Sequence, residues 1–91
     1  MEKARVEFTV NGYVQGVGFR FFVYRNAIML DLVGYTKNMY DGSVLVEVEG
    51  KPQDIDALLE KLKIGPSRSR VESVKRVEKA YTGEFKEFKI K

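Results

Sequence analysis

Residues 12–20 have the sequence Gly-Tyr-Val-Gln-Gly-Val-Gly-Phe-Arg, in which three glycines and one arginine lie between two segments of different periodicity. Before this stretch, residues 6–10 alternate between apolar and polar side chains, the pattern of a β-strand with one buried face. After it, residues 21–30 carry apolar side chains at the spacing of an α-helix. The stretch therefore predicts a turn from a strand into a helix. Its composition raises the question of whether that turn also binds an anion.

The rest of the chain predicts a hairpin, a second helix and two further strands. Asp41-Gly42 is a strong hairpin signal, Pro52 suits the first turn of a helix, and Gly65 suits its end. The expected strands are residues 35–39, 44–49, 71–80 (with a bulge, because its valines depart from period 2) and 88–90.

The predicted order is β-α-β-β-α-β followed by a terminal strand. Both helices have an apolar stripe that needs burial, so they are expected to cover one face of an antiparallel sheet. This predicts an α+β fold of the ferredoxin-like sandwich type. With 91 residues the chain suits a single domain, expected over residues 1–91.

The amino-acid composition excludes two side chains that are often used in catalysis. The chain has no Cys and no His, so it lacks a thiolate nucleophile and the usual general base at neutral pH. Its formal charge of +3 is spread along the chain, which favours weak attraction to anionic substrates over a nucleic-acid interface. There is neither an apolar run of about 18 residues nor a signal-peptide core, so we expect a cytoplasmic protein with no membrane partner.

The glycine-rich stretch is neither a Walker loop nor a dinucleotide fingerprint, because Phe21 stands where the latter has its third glycine. Small residues allow backbone N–H groups to converge on an anion, the start of a helix adds a partial positive charge, and Arg20 adds a full one. Two interpretations remain: residues 15–20 form an anion cradle, or they form a plain turn beside a solvated arginine. Asn38, just before the hairpin, either assists that turn or has a chemical role.

At these residues the sequence resembles the acylphosphatase family. Residues 10–20 are similar to its first signature, and residues 34–38, followed by Gly42, Val44 and Gly50, are similar to its second. The resemblance covers nearly the whole chain. Asp31 stands where the family frequently has Gly after the first helix, which predicts a positive φ at this residue.

The resemblance implies a hydrolase that cleaves the carboxyl–phosphate mixed anhydride of small acyl phosphates to a carboxylate and inorganic phosphate. Its implied catalytic residues are Arg20, which binds the phosphoryl group, and Asn38, which positions the attacking water. It implies no metal and no cofactor, phosphate or sulfate as product or inhibitor, and an acyl group directed towards solvent. A monomer without a nucleic-acid partner is expected. The implied substrate-binding residues are Gln15, Gly16, Val17, Gly18, Phe19 and Arg20.

Other features of the sequence suggest different functions. Glu47 and Glu49 suggest a carboxylate pair for a metal, but their alternation along one strand is more typical of a solvated face. The tyrosines and phenylalanines suggest RNA stacking on a sheet, yet the basic–aromatic strand motif is absent. A catalytically silent anion-binding module, like such domains embedded in larger enzymes, is the remaining alternative.

Overall fold

The computed structural model describes residues 2–91, which form five strands and two helices in the predicted order. The ferredoxin-like α+β fold is confirmed: both helices pack on one face of a five-stranded sheet with the order β4-β1-β3-β2-β5. Within this part of the chain, neither helix is long and apolar enough to span a bilayer. The elements are β1 (Ala4–Tyr13), α1 (Phe19–Met29), β2 (Val33–Asn38), β3 (Val44–Gly50), α2 (Pro52–Ile64), β4 (Arg70–Lys79) and β5 (Phe88–Ile90).

The sheet is mixed rather than wholly antiparallel. The pairs β1–β3, β1–β4 and β2–β3 are antiparallel, as expected, whereas β5 pairs parallel with β2. The difference arises because the chain leaves β4 at one edge of the sheet and returns along the opposite edge. Since β1 and β2 are both antiparallel to β3, the carboxyl ends of β1, β2 and β5 all lie at the same end of the sheet.

The core lies between the sheet and the two helices. Alternate residues of β1 and β3 face the helices and are fully buried, as the period-2 pattern predicts. Helix α1 begins at Phe19, two residues earlier than expected, and the Phe19 side chain is itself part of the core. The core residues are Val6, Phe8, Val10, Val14, Phe19, Val23, Ala27, Leu32, Val44, Val46, Val48, Ile55, Leu58, Leu62 and Phe88.

Two local backbone predictions are confirmed. Asp31 has φ 56°, and no other non-glycine residue between 2 and 91 has a positive φ. In β4, Glu72 is the extra residue of a bulge, because the partners of Asn11 and Gly12 are Ser73 and Val71. The bulge explains the three-residue spacing of Val71 and Val74, whereas Val77 lies on the other face of the strand, opposite Glu7.

The other face of the sheet corrects one prediction, because Glu47 and Glu49 are not solvated. Only 5% of Glu47 and 1% of Glu49 is exposed. The segment between β4 and β5 covers them: the N–H of Thr82 donates to the Glu49 carboxylate at 2.9 Å, and Gly83 donates to it at 3.2 Å. Arg5 forms an ion pair with each of them, with its Nε 2.6 Å from Glu47 and its Nη1 3.3 Å from Glu49.

This network sets the charge of Glu49. Burial alone would raise the pKa of its carboxyl, but hydrogen bonds from Thr82 and Gly83 and the charge of Arg5 together lower it. Because folding lowers this pKa, the group stabilises the fold above its unfolded pKa of about 4.3. That contribution is lost as the pH falls through the lower pKa of the folded state.

We expect Glu49→Gln to lower the free energy of unfolding by about 2 kcal/mol at neutral pH, because the Thr82 and Gly83 N–H groups lose a buried charged acceptor, while Arg5 keeps its ion pair with Glu47. The loss should shrink in acid, where the wild-type carboxylate is protonated too. Urea unfolding at neutral and acidic pH measures both effects. Glu60→Gln, on the exposed face of α2, is the control and should change little. Equal stability of Glu49→Gln and wild type at both pH values would contradict this role.

Candidate functional site

The topology brings the predicted site residues to one end of the sheet. The loop of residues 14–18 follows the end of β1, Asn38 is the last residue of β2, and Lys91 follows the end of β5. These three strands end on the same side, as described above. Helix α1 starts from the loop, so Arg20 in its first turn also reaches this end.

Two glycines shape the backbone of the loop that was predicted as an anion cradle. Gly16 and Gly18 have φ 75° and 79°, in the left-handed region that favours glycine, and Gly18 is the N-cap of α1. The backbone N–H groups of residues 15–20 donate to no acceptor within residues 2–91. Unpaired N–H groups in a loop and at a helix start can bind an anion together.

Arg20 is held at the edge of this loop. Its Nη1 donates to the backbone oxygen of Lys91 at 2.8 Å, and it makes no other side-chain hydrogen bond within the described residues. A guanidinium has five N–H donors in a planar fork. One contact therefore orients the fork and leaves the other donors for a ligand.

Asn38 lies with Arg20 on the wall of one cavity of about 210 Å³, together with Gly16 and Gly18. Its side chain is exposed, and its amide makes no hydrogen bond to any residue between 2 and 91. Asn38 is not what holds the hairpin after β2, because the Asp41 carboxylate accepts hydrogen bonds there from Ser43. These bonds also lower the pKa of the Asp41 carboxyl. The amide of Asn38 is therefore free to contact a ligand.

The other predicted binding residues can contribute only through the backbone. The ring of Phe19 is in the core, and Val17 packs against it. The side chain of Gln15 points to the hairpin, where its Nε2 donates to the backbone oxygens of Met39 at 2.8 Å and Ser43 at 2.9 Å. This pair of bonds joins the loop to the segment after Asn38, a role the sequence did not reveal.

Four residues on this cavity or beside it were missed by sequence reasoning. Val14, Phe21 and Ile90 line the cavity, and Lys91 orients Arg20. Phe21 adjoins the predicted loop, so proximity to Arg20 is the one signal that could have identified it. Ile90 and Lys91 reach the site through the parallel pairing of β5 with β2, which no local pattern indicates.

No trio of acidic side chains within residues 2–91 is placed to hold a metal ion. A somewhat larger cavity, about 280 Å³, opens beside Tyr35 and Phe85 on the other face of the sheet. It contains none of the unpaired loop N–H groups. That larger cavity is lined by three lysines and two glutamates, so what distinguishes the cavity at Arg20 and Asn38 is that the unpaired loop N–H groups adjoin an arginine and a free amide there.

Comparison with known proteins gives one consistent result. The family model described as Acylphosphatase matches residues 6–90. The acylphosphatase of Chlorobaculum tepidum is 46% identical over 90 residues, which are 99% of this chain and 98% of that protein. The crystal structure of acylphosphatase from Bacillus subtilis matches with a TM-score of 0.92 and 33% identity, over 96% of this chain and 97% of that one. HypF from T. kodakarensis matches with a TM-score of 0.84 and 37% identity, over 97% of this chain but only 12% of HypF.

Proposed function

The chain belongs to the acylphosphatase family, so it is an enzyme that hydrolyses acyl phosphates, and we propose that it does so without a metal at the cavity of Arg20 and Asn38. One observation carries this proposal. The unpaired N–H groups of residues 15–20, the free donors of Arg20 and the free amide of Asn38 adjoin a single cavity.

The phosphoryl group is bound in the cradle. N–H groups of residues 15–20 donate to its oxygens, and Arg20 supplies the full positive charge. The distribution of negative charge over the three equatorial oxygens changes as the P–O bond breaks. Hydrogen-bond donors that are fixed in position before the reaction therefore stabilise the transition state. The contact from Arg20 to Lys91 keeps the guanidinium oriented while no substrate is present.

The amide of Asn38 orients the water. The water oxygen forms a new bond to phosphorus as the bond from phosphorus to the acyl oxygen breaks, and the acyl group leaves as a carboxylate. The water's proton passes to a phosphoryl oxygen of the substrate. A carboxylate is a good leaving group, so this reaction needs no strong general acid.

This mechanism suits a chain with neither His nor Cys, because orientation and charge stabilisation replace proton transfer by a side chain. Arg20 and the backbone donors take the place that a metal ion holds in many phosphoryl-transfer enzymes. Every residue in the proposal comes from one chain and one end of one sheet. We therefore propose a single domain that works as a monomer.

We expect the purified protein to hydrolyse benzoyl phosphate and to release inorganic phosphate in an equal amount. The rate should be unchanged in excess EDTA, because Arg20 and backbone N–H groups supply the positive potential. Phosphate release measures one product, and the loss of benzoyl phosphate absorbance independently measures the consumption of the substrate.

Two results would overturn parts of this proposal. Loss of activity in EDTA with recovery on adding Mg²⁺ or Zn²⁺ would contradict the metal-free mechanism. Binding of phosphate without any turnover would instead indicate a silent anion-binding module, and the catalytic role of Asn38 would then be wrong.

A further inference from the structure

The cavity of Arg20 and Asn38 has an apolar side as well as a polar one. Phe21 and Ile90 both line it, although 58% of Phe21 and 44% of Ile90 remain exposed to solvent. These side chains therefore form the rim of the cavity rather than its floor. A phosphate ion gains nothing from an apolar rim, because its oxygens seek N–H donors and positive charge.

Phe21 is held in position, unlike an ordinary exposed side chain. Its ring stacks on Tyr24 with a centroid distance of 6.3 Å and an interplanar angle of 22°. Tyr24 in turn packs against the buried ring of Phe88 at 6.3 Å. The guanidinium of Arg25 lies 6.0 Å from the centroid of Phe21. A chain of aromatic contacts thus connects the rim to the core.

Ile90 approaches the same rim from the sheet. It lies two residues after Phe88 on β5, so both side chains point to the helix-covered face. Phe88 meets Tyr24 of α1, and Ile90 lies one step closer to the end of the sheet where the loop of residues 14–18 lies. Helix and sheet therefore each supply one apolar side chain to the cavity mouth.

The geometry of the substrate class brings its acyl group to this rim. In an acyl phosphate, one bridging oxygen separates phosphorus from the acyl carbon. When the phosphoryl group lies in the cradle, the first atoms of the acyl group are still inside the same cavity. Its remaining atoms must leave past the exposed rim, where apolar contact removes surface from water.

Resting on the function proposed above, we propose that Phe21 and Ile90 form a subsite for the acyl group, and that the enzyme favours apolar acyl phosphates, aromatic or branched, over acetyl phosphate. This revises the expectation that the acyl group points only towards solvent. The cradle selects the phosphate, and the rim selects the group attached to it.

The test compares benzoyl phosphate with acetyl phosphate in the wild type, Phe21→Ala and Ile90→Ala. We expect the ratio of kcat/KM for benzoyl over acetyl phosphate to fall about 10-fold in Phe21→Ala, the lower end of what apolar pocket contacts contribute to discrimination. Ile90→Ala should lower the ratio by a smaller factor. Each ratio is compared between variants, so the different intrinsic reactivities of the two substrates cancel. Inhibition by inorganic phosphate should stay within about 2-fold of wild type, because its contacts are to the cradle.

Met29→Ala is the matched control, because Met29 is an apolar residue of the same helix with 77% exposure and does not line the cavity. It should leave the ratio unchanged. If both rim variants kept the wild-type ratio while hydrolysis continued, the subsite would be refuted and the proposed function would stand. If the wild type hydrolysed neither substrate, the proposed function would fail and the subsite with it.

Discussion

Arg20→Ala is expected to reduce kcat/KM for benzoyl phosphate by about 10³-fold, the lower end of what a transition-state arginine contributes to phosphoryl transfer. Arg20 supplies the one full positive charge that we assign to the phosphate site. The backbone N–H groups that remain carry only partial charges. Both the binding of phosphate and the stabilisation of the transition state should therefore weaken.

Backbone NMR gives a second measurement of the same role. Titration of inorganic phosphate into the wild type is expected to shift the amide signals of residues 15–20. In Arg20→Ala these shifts should vanish over the same concentration range. Shifts spread over the whole surface, or unaffected by the variant, would refute the cradle.

Two further variants separate the charge of Arg20 from its shape. Arg20→Lys keeps a positive charge but lacks the planar fork that binds two oxygens at once. It should recover only a small part of the lost activity, and nearly full recovery would mean that charge alone is needed. Arg68→Ala removes an exposed arginine that does not line the cavity, so its activity should match wild type. Circular dichroism checks that each variant is folded, since Arg20 also contacts Lys91.

Patterns that depend on neighbours in sequence predicted most of the fold. The alternation in β1 and β3, the Asp41-Gly42 turn and the Gly65 helix end are local signals, and each predicted its element. The φ of 56° at Asp31 was predicted in another way, from the resemblance, because the family frequently has Gly at this position after the first helix. The sequence also indicated the bulge in β4, because an extra residue interrupts the alternation between Val71 and Val74.

Contacts between distant segments could not be predicted in this way. Alternation shows that Glu47 and Glu49 share one face of β3, but it does not show what covers that face. The covering groups, Thr82 and Gly83, are more than thirty residues away in sequence. The assumption of a solvated face failed because charged residues are buried when a partner such as Arg5 is present.

In the candidate site, too, some residues are indicated by local sequence and others depend on contacts between distant segments. Glycines and a helix start are visible in sequence, so the loop and Arg20 could be singled out as a candidate anion site, but the residues alone left a plain turn open and only the family resemblance favoured the cradle. The two bonds from Gln15 to the backbone of Met39 and Ser43 could not, since they join the loop to a hairpin across the end of the sheet. The position of Ile90 at the cavity could not be predicted either, because it depends on the parallel pairing of β5 with β2.

Asn38→Ala is expected to lower kcat by about 10²-fold, comparable to the loss of one side-chain donor that acts in a transition state. Its effect on KM and on inhibition by phosphate should be small, because Asn38 orients the water and the cradle binds the phosphate. Steady-state kinetics with benzoyl phosphate measures the split between kcat and KM. Tyr40→Ala is the control, since Tyr40 lies in the same hairpin with its side chain in solvent.

Asn38→Gln tests whether position or polarity matters at this residue. Glutamine keeps the amide but moves it by about 1.5 Å, the length of one C–C bond. If the amide works by orienting the water, such a displacement should be nearly as harmful as its removal, because small errors in alignment cost large factors in rate. Wild-type kcat in Asn38→Gln would show that any nearby amide suffices, and the bonds from Gln15 to the hairpin would then have no bearing on catalysis. A low kcat with normal phosphate inhibition would instead place the requirement on geometry, which those bonds and the end of β2 maintain.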